Sequence, residues 1–334
     1  MDFPFGLPAV FEKEDSTENG DAAPVRLSAA AGAGESCPAA VFGPSVKQDG
    51  LPDEPDFEAV YSVYRQKICA LDGTGTRFLL LNRQTSLADM RAALLAARDK
   101  SLPVAACLEA DRKKRSCGFL PALITLQAMG ISAAGLCGIP DDGMAEAIRA
   151  ASAHTAVPLA VIADAEPGQS VQEYADAVRP LLDAGARLLG CGQDTTSEHA
   201  RALGELAKKY GPPEISEEPD CLAAATEHEA FFLGEDIRLS EPLVCSNSLV
   251  DRLIDLDDEQ VTAALVYVES IGDAVLLGRC APMSRLPIAV RTDSATVLNA
   301  ALRYVQGRLI IDSGTCIERE VLEPLAVKYG AIVY

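Results

Sequence analysis

Short apolar runs alternate with longer amphipathic stretches through the middle of this 334-residue chain. The short runs predict β-strands, and the longer stretches, in which apolar residues recur every three or four positions, predict α-helices. From residue 57 onward the predicted helices are 57–71, 86–100, 120–129, 142–155, 171–184 and 196–210, and the predicted strands are 77–81, 103–108, 133–137, 159–163 and 187–190. Strands joined by such helices pair in parallel, and the steady repetition favours an α/β barrel of the TIM type over an open doubly wound sheet.

A second α/β series follows Pro212, Pro213 and the acidic stretch 214–220, which together indicate a linker. Its predicted strands are 243–246, 263–269, 288–292, 309–312 and 331–334, and its predicted helices are 248–256, 271–281, 293–305 and 317–329. These units are too few for a second full barrel. The series therefore predicts a half-barrel or a small open sheet.

The N-terminal region has a different texture, rich in Pro, Gly, Ala and acidic residues, and only residues 39–42 predict a strand there. We therefore expect an irregular region over 1–57 and an N-terminally shortened barrel over 58–211. A linker over 212–222 and a smaller α/β domain over 223–334 are expected to follow.

Charge and cysteine usage narrow the class of protein. The formal net charge is −20 at pH 7, which excludes binding to nucleic acid and disfavours anionic membrane surfaces, because both would repel the chain. Neither a membrane-spanning apolar run nor a secretory signal is visible, so we expect no membrane association and a cytoplasmic location. The ten cysteines are scattered singly, as buried thiols in a reducing compartment are.

The segment from residue 186 to residue 199 carries the most specific pattern in the sequence. A predicted strand ends in Gly190, Cys191 and Gly192, and the next helix begins after Thr195 and Thr196, which are residues suited to capping a helix. In α/β barrels the catalytic groups lie at such strand ends.

The flanks of this segment resemble the homocysteine S-methyltransferase family, which includes the N-terminal module of cobalamin-dependent methionine synthase. Residues 172–176 and 183–190 are similar to the helix and strand before that family's paired-cysteine motif. Residues 195–199, Thr-Thr-Ser-Glu-His, match the Thr-Thr-Pro-Glu-His that follows it.

Further segments carry the same resemblance in the same order. Residues 135–137 resemble the family's Asn-Cys strand end, and residues 79–81 with 86–89 resemble the strand and helix that carry its Glu-Thr pair. The similarity covers about residues 39–210. Beyond it, residues 299–313 and 328–331 distantly resemble the pterin-binding module of methionine synthases, in a shortened form.

The resemblance implies a zinc ion held by three cysteine thiolates, which binds the sulfur of homocysteine and lowers its pKa for methyl transfer. Carried over by position, Cys137 falls on the first ligand, whereas the paired cysteines fall on Gly192 and Gln193. Cys191 lies one place away, and successive residues of a strand point in opposite directions.

Two readings of Cys191 follow. A bulge would turn its thiol toward the zinc, with Asp194 or His199 as a further ligand. Otherwise Cys191 is a small buried residue and no zinc binds. The metal ligands expected under the first reading are Cys137 and Cys191.

Substrate contacts are also implied by the resemblance. Asn82 stands with Arg83 where the family has its Glu-Thr pair, and Thr195 and Thr196 follow the cysteine motif. We therefore expect Asn82, Thr195 and Thr196 to contact the substrate, and we assign no catalytic residue.

Two functions remain open. The first is an S-methyltransferase of methionine biosynthesis that transfers a methyl group to a thiol at zinc, with cobalamin only through a partner. The second is a pseudoenzyme that serves as a binding or scaffold subunit for a corrinoid protein or a methyltransferase subunit. A shortened barrel would expose strand edges and apolar surface, which such a partner or a second copy of the chain would cover.

Overall fold

The structure of the protein is a computed structural model that describes residues 9–13, 24–29, 36–45, 56–110, 118–211, 222–234, 236–256 and 260–334. The chain divides into two compact units. The first comprises residues 1–119 and 131–217, and the second comprises residues 120–130 and 218–334. Residues 212–221 of the predicted linker lie outside the described part, so the linker stays a prediction.

Eight strands form a closed ring in the first unit. They are β1 (Ala9–Lys13), β2 (Pro24–Ala29), β3 (Ser36–Phe42), β4 (Phe78–Gln84), β5 (Val104–Glu109), β6 (Ala133–Gly138), β7 (Leu159–Ala163) and β8 (Leu188–Cys191). The six strands β3 to β8 are parallel and follow one another in chain order. The predicted fold class, an α/β protein with a partial TIM barrel and a smaller C-terminal α/β part, is confirmed.

The N-terminal strands differ from the expectation of an irregular region. β1 pairs in parallel with β8, and β2 lies antiparallel between β1 and β3, so this pair completes the ring where a TIM barrel has parallel strands joined by helices. The predicted strand 39–42 lies within β3. The local sequence of β1 and β2 carries little strand periodicity, and of their partners only β8 is distant in the chain.

Helices alternate with the parallel strands. They are α1 (Phe57–Cys69), α2 (Leu87–Ala97), α3 (Phe119–Ala128), α4 (Asp142–Ser152), α5 (Val171–Asp183) and α6 (Ser197–Ala207), with a short 3-10 helix at Arg98–Lys100. Side-chain caps hold the first turns of α2 and α4. Ser86 Oγ accepts from the Ala88 amide at 3.1 Å, and Asp141 Oδ1 accepts from the Met144 amide at 2.8 Å.

The barrel interior is filled by small and medium apolar residues. The interior cluster comprises Ala39, Phe78, Leu80, Ala105, Cys107, Ala133, Cys137, Ala160, Ile162 and Leu188, with Val41 packed against it. Gly135 of β6 allows the closest approach, because a Cβ atom there would overlap the carbonyl group of Ala160 on β7. Small residues thus let the strand layer close tightly below the carboxyl ends of the strands.

The second unit contains a parallel five-stranded sheet whose strands follow chain order. Its strands are β11 (Leu243–Val244), β12 (Ala264–Tyr267), β13 (Ile288–Arg291), β14 (Ile310–Ile311) and β15 (Ile332–Val333), and an antiparallel pair is formed by β9 (Ala223–Ala225) and β10 (Ala230–Phe232). Its helices are α7 (Leu249–Asp255), α8 (Ile271–Cys280), α9 (Ala295–Tyr304) and α10 (Arg319–Tyr329), with a 3-10 helix at Ala281–Met283.

Residues 120–130 add most of α3 to this second unit. Ile124 of α3 is fully buried against Ala223 and Ala225 of β9. At the other contact, a Cβ atom on Gly330 would lie 2.6 Å from the Ala128 carbonyl carbon. The apolar cluster at Ala223 and Ala225 is therefore completed by a helix that precedes β6 in the chain.

Candidate functional site

The carboxyl ends of the barrel strands carry a group of inward-facing polar residues. Because alternate residues of a strand face the same side, the positions two residues beyond the interior residues Cys107 and Ile162 also point inward. These positions are Glu109 and Asp164. We call this region the barrel mouth, and its residues are Asn82, Arg83, Glu109, Cys137, Asp164 and Gly192.

Arg83 reaches the barrel mouth through a bulge in β4. The register with β5 shifts between Leu81 and Gln84, and Arg83 adopts a positive φ of 55°. Its Nη1 donates to Glu109 Oε1 at 2.9 Å, and its Nη2 donates to Asp164 Oδ2. Burial opposes the charge of the guanidinium, but the two carboxylates outweigh it and raise the pKa of Arg83.

Asp164 is the most buried charged group of the mouth, with 8% of its side chain exposed. Its Oδ2 accepts from Arg83, and its Oδ1 accepts from the backbone amide of Gln193 at 2.6 Å. Its own amide donates to the Gly138 carbonyl at 2.8 Å. The buried carboxylate is thus compensated by one guanidinium and one backbone donor, as a buried charge requires.

Cys137 points into the barrel, as its predicted role requires. Its Sγ donates to the Leu108 carbonyl at 3.3 Å. Burial raises the pKa of the Cys137 thiol to about 12, although the nearby Arg83 guanidinium acts in the opposite direction. The group is therefore a neutral thiol at pH 7.

Cys191 points the other way. Leu188 belongs to the interior cluster, so Cys191, three residues further along β8, faces outward. There the hydroxyl oxygen of Tyr174 of α5 lies 3.9 Å from Cys191 Sγ. β8 pairs with β7 without a register shift, so the bulge that would turn Cys191 inward is absent from this described strand. The structure does not bring Cys137 and Cys191 together, because they lie on opposite faces of the barrel wall.

The predicted substrate contacts at Thr195 and Thr196 lie in the loop after β8. Thr195 Oγ1 donates to the Gly192 carbonyl at 2.8 Å, and the Thr196 amide donates to His199 Nδ1 at 3.0 Å. Both residues therefore order the turn that begins α6. A role for them in substrate binding stays a prediction.

Asn82 lies in the β4 bulge next to Arg83. Its side-chain Oδ1 is buried and has no hydrogen-bond partner among the described residues. An unpaired buried acceptor is costly unless a donor reaches it. Asn82 thus has an acceptor that a bound ligand could use, and its predicted contact with substrate stays a prediction.

The barrel mouth can be tested for its fit to a thiolate-bound zinc ion. Such a site needs several deprotonated sulfur or nitrogen donors around one point. In the part of the chain that the structure describes, no group of three or more His, Cys, Asp and Glu side chains is arranged to hold a metal. One neutral thiol faces the mouth, and a guanidinium lies beside it. These residues do not fit the ligand set that the resemblance implies.

No role for Arg83, Glu109 or Asp164 follows from the sequence motifs. Each lies at or just after the carboxyl end of a barrel strand, which is where α/β barrels carry their functional groups. A polar residue directly after an apolar strand can be identified from the sequence. This position would have identified Glu109 and Asp164 as candidate site residues.

The buried hydroxyl of Tyr174 gives a first testable prediction. Replacing Tyr174 by Phe removes a hydroxyl that donates to the Ala163 carbonyl at 2.8 Å. We expect the free energy of unfolding to fall by about 1 kcal/mol, as for other buried hydrogen bonds. Urea unfolding measures the change, and Tyr210→Phe, which removes a more exposed hydroxyl, is the control. Equal midpoints for the Tyr174→Phe protein and the wild type would contradict the buried contact.

The arrangement of the strands and the order of the matched motifs define a barrel protein of one family. A family model described as homocysteine S-methyltransferase matches residues 12–207, more than half of the chain. The chain therefore belongs to the homocysteine S-methyltransferase family. The match ends before the second unit's sheet, whose likeness to a pterin-binding module stays a prediction.

Solved structures with similar chains include the homocysteine methyltransferase MmuM from Escherichia coli. Its apo form is 20% identical over 52% of this chain and 64% of that chain, with a TM-score of 0.43. Its metallated form is 19% identical over 51% of this chain and 60% of that chain, with a TM-score of 0.41. This chain thus spans less than two thirds of the MmuM chains. No curated protein sequence matches it significantly.

Among the residues that the structure describes, none of the helices has both the length and the apolar character needed to cross a bilayer.

Proposed function

We propose that this protein is a non-catalytic member of its family that acts as a binding or scaffold subunit. The observation that carries the proposal is the Arg83 guanidinium, which lies between Glu109 and Asp164 and next to Cys137. This guanidinium engages an oxygen of each carboxylate that could otherwise bind a metal ion beside Cys137. Activation of a thiol by zinc, the chemistry that the resemblance implies, therefore has no support from these residues.

The alternative is the activity suggested by the family. In that case the protein would transfer a methyl group to homocysteine at a zinc ion, as a step of methionine biosynthesis. Cys137 would be one ligand. Further ligands would have to come from residues outside the described part or from a rearrangement of the barrel mouth.

A partner is favoured by the surface of the second unit. Among the described residues, the large apolar side chains that are exposed all belong to this unit: Phe232, Val244, Ile254, Ile271, Met283, Val321, Val327, Val333 and Tyr334. A partner that bound this unit would remove these apolar groups from water. We propose a corrinoid protein or a methyltransferase subunit as the partner, with a second copy of the chain as the alternative.

Metal analysis of anaerobically purified protein, combined with a methyl-transfer assay, tests the proposal. We expect far less than one zinc ion per chain and no methyl transfer from S-methylmethionine to homocysteine. Cys137→Ala should leave both results unchanged, and Cys191→Ala serves as the matched control on the outer face. Stoichiometric zinc that disappears in Cys137→Ala, together with methyl transfer, would establish the enzyme alternative instead.

A further inference from the structure

We propose that Arg83 and Asp164 replace a metal ion and one of its ligands. In this view Arg83 supplies a permanent positive charge, and Asp164 fills the space of a side chain at position 192. The barrel mouth is then a metal-independent ion cluster, which a single restored cysteine cannot convert back into a metal site. The inference rests on the metal independence in the proposed function and identifies the residues responsible for it.

The Asp164 carboxylate occupies the space that a side chain at position 192 would need. Gly192 is the position on which the first of the family's paired cysteines falls. A Cβ atom built on Gly192 would overlap Asp164 Oδ1. The Gly192 amide donates to the Ala163 carbonyl at 2.7 Å, and the Gln193 amide donates to Asp164 at 2.6 Å, so backbone bonds hold the loop close to that carboxylate. Any side chain at position 192 must therefore displace Asp164.

The net charge of the barrel mouth equals that of a zinc ion bound by three thiolates. A zinc ion with three thiolates has a net charge of −1, because two positive charges face three negative ones. Arg83 with Glu109 and Asp164 also has a net charge of −1, because one positive charge faces two negative ones. Replacing the zinc ion by Arg83 thus keeps the net charge of the barrel mouth. It also compensates the charge of the buried Asp164 carboxylate.

Arg83 and Asp164 depend on each other through their ion pair. Asp164 is held by Arg83 on one oxygen and by the Gln193 amide on the other. Displacing Asp164 would leave Arg83 with Glu109 alone as its ion partner among the contacts described, at 2.9 Å. Restoring a ligand at position 192 without removing Arg83 would therefore leave a guanidinium facing the incoming metal.

Cobalt(II) titration under anaerobic conditions tests the inference, because thiolate–cobalt absorption reports metal bound through sulfur. The variants are Gly192→Cys, Gly192→Cys with Asp164→Ala, and both with Arg83→Ala. We expect no such absorption in the wild type or in Gly192→Cys. The triple variant should bind cobalt about 100-fold more tightly than Gly192→Cys, and adding Cys137→Ala should abolish that binding.

The outcomes separate the inference from the proposed function. Cobalt binding by the wild type through Cys137 would refute the metal independence itself. Tight binding by Gly192→Cys alone, or none by a folded triple variant, would refute the replacement by Arg83 and Asp164 and leave the proposed function intact.

A second measurement does not depend on metal. We expect Gly192→Ala to lower the thermal midpoint strongly in the wild type and only slightly in the Asp164→Ala background, because the carboxylate that the methyl group would overlap is gone. Gly204→Ala is the matched control, since a Cβ atom there would meet no neighbour within 4 Å. Equal losses in both backgrounds would overturn the steric argument.

Discussion

Replacing Arg83 by Leu is expected to lower the free energy of unfolding by about 3 kcal/mol at neutral pH. The substitution leaves the Asp164 carboxylate, of which 8% is exposed, without its ion partner. Broken buried pairs cost about 3–5 kcal/mol, and the lower end applies because 22% of the Arg83 side chain reaches solvent. Urea unfolding followed by circular dichroism measures the loss.

Two controls make this prediction specific. Arg179→Leu removes an arginine whose pair with Asp176 is exposed on both sides, so we expect little change. Arg83→Leu combined with Asp164→Asn should recover part of the loss, because no unpaired charge is then buried. If the Arg83→Leu and Arg179→Leu proteins both have the urea midpoint of the wild type, Arg83 does not stabilise the barrel mouth.

The fold could be predicted from the sequence where local pattern and burial agree. Strands buried on both faces appear as continuous apolar runs, and the helices between them carry their own caps, as Ser86 and Asp141 do. The end of β4 could not be predicted in this way. The apolar run stops at Leu81, whereas the strand continues through a bulge to Gln84.

Arg83 could not be placed from local sequence for the same reason. A positive φ is uncommon for arginine, and ion pairs with residues 26 and 81 positions away accompany it here. From the sequence, a bulge at Cys191 is one expected means of building a metal site. The structure has a bulge in β4 instead, and there it brings a cation into the barrel mouth.

The order of helices and strands along the chain also does not predict that α3 belongs to the second unit. Residues 119–128 contain no charged side chain, and Leu123, Ile124 and Leu126 are all buried. A helix that is apolar on every side is buried on every side. That feature was readable from the sequence. Its neighbours, however, are residues about 100 positions later, which no local pattern identifies.

Residues 218–334 alone are therefore expected to remain unfolded. The same residues should fold cooperatively when residues 119–130 are attached in front of them through a flexible Gly/Ser linker. Without α3, the buried face of β9 that receives Ile124 becomes exposed, and the close packing of Gly330 against Ala128 is lost. Circular dichroism and thermal unfolding of both fragments measure the difference.

The matched control is Ile124→Asp within the longer fragment. It keeps the length and connectivity but places a carboxylate among Ala223 and Ala225, where the side chain of residue 124 is fully buried. We expect this variant to behave like residues 218–334 alone. A cooperative transition in the short fragment would mean that β9 to β15 form a complete core by themselves. The described packing argues against that result, because Ile124 is the fully buried large side chain of the cluster that it forms with Ala223 and Ala225.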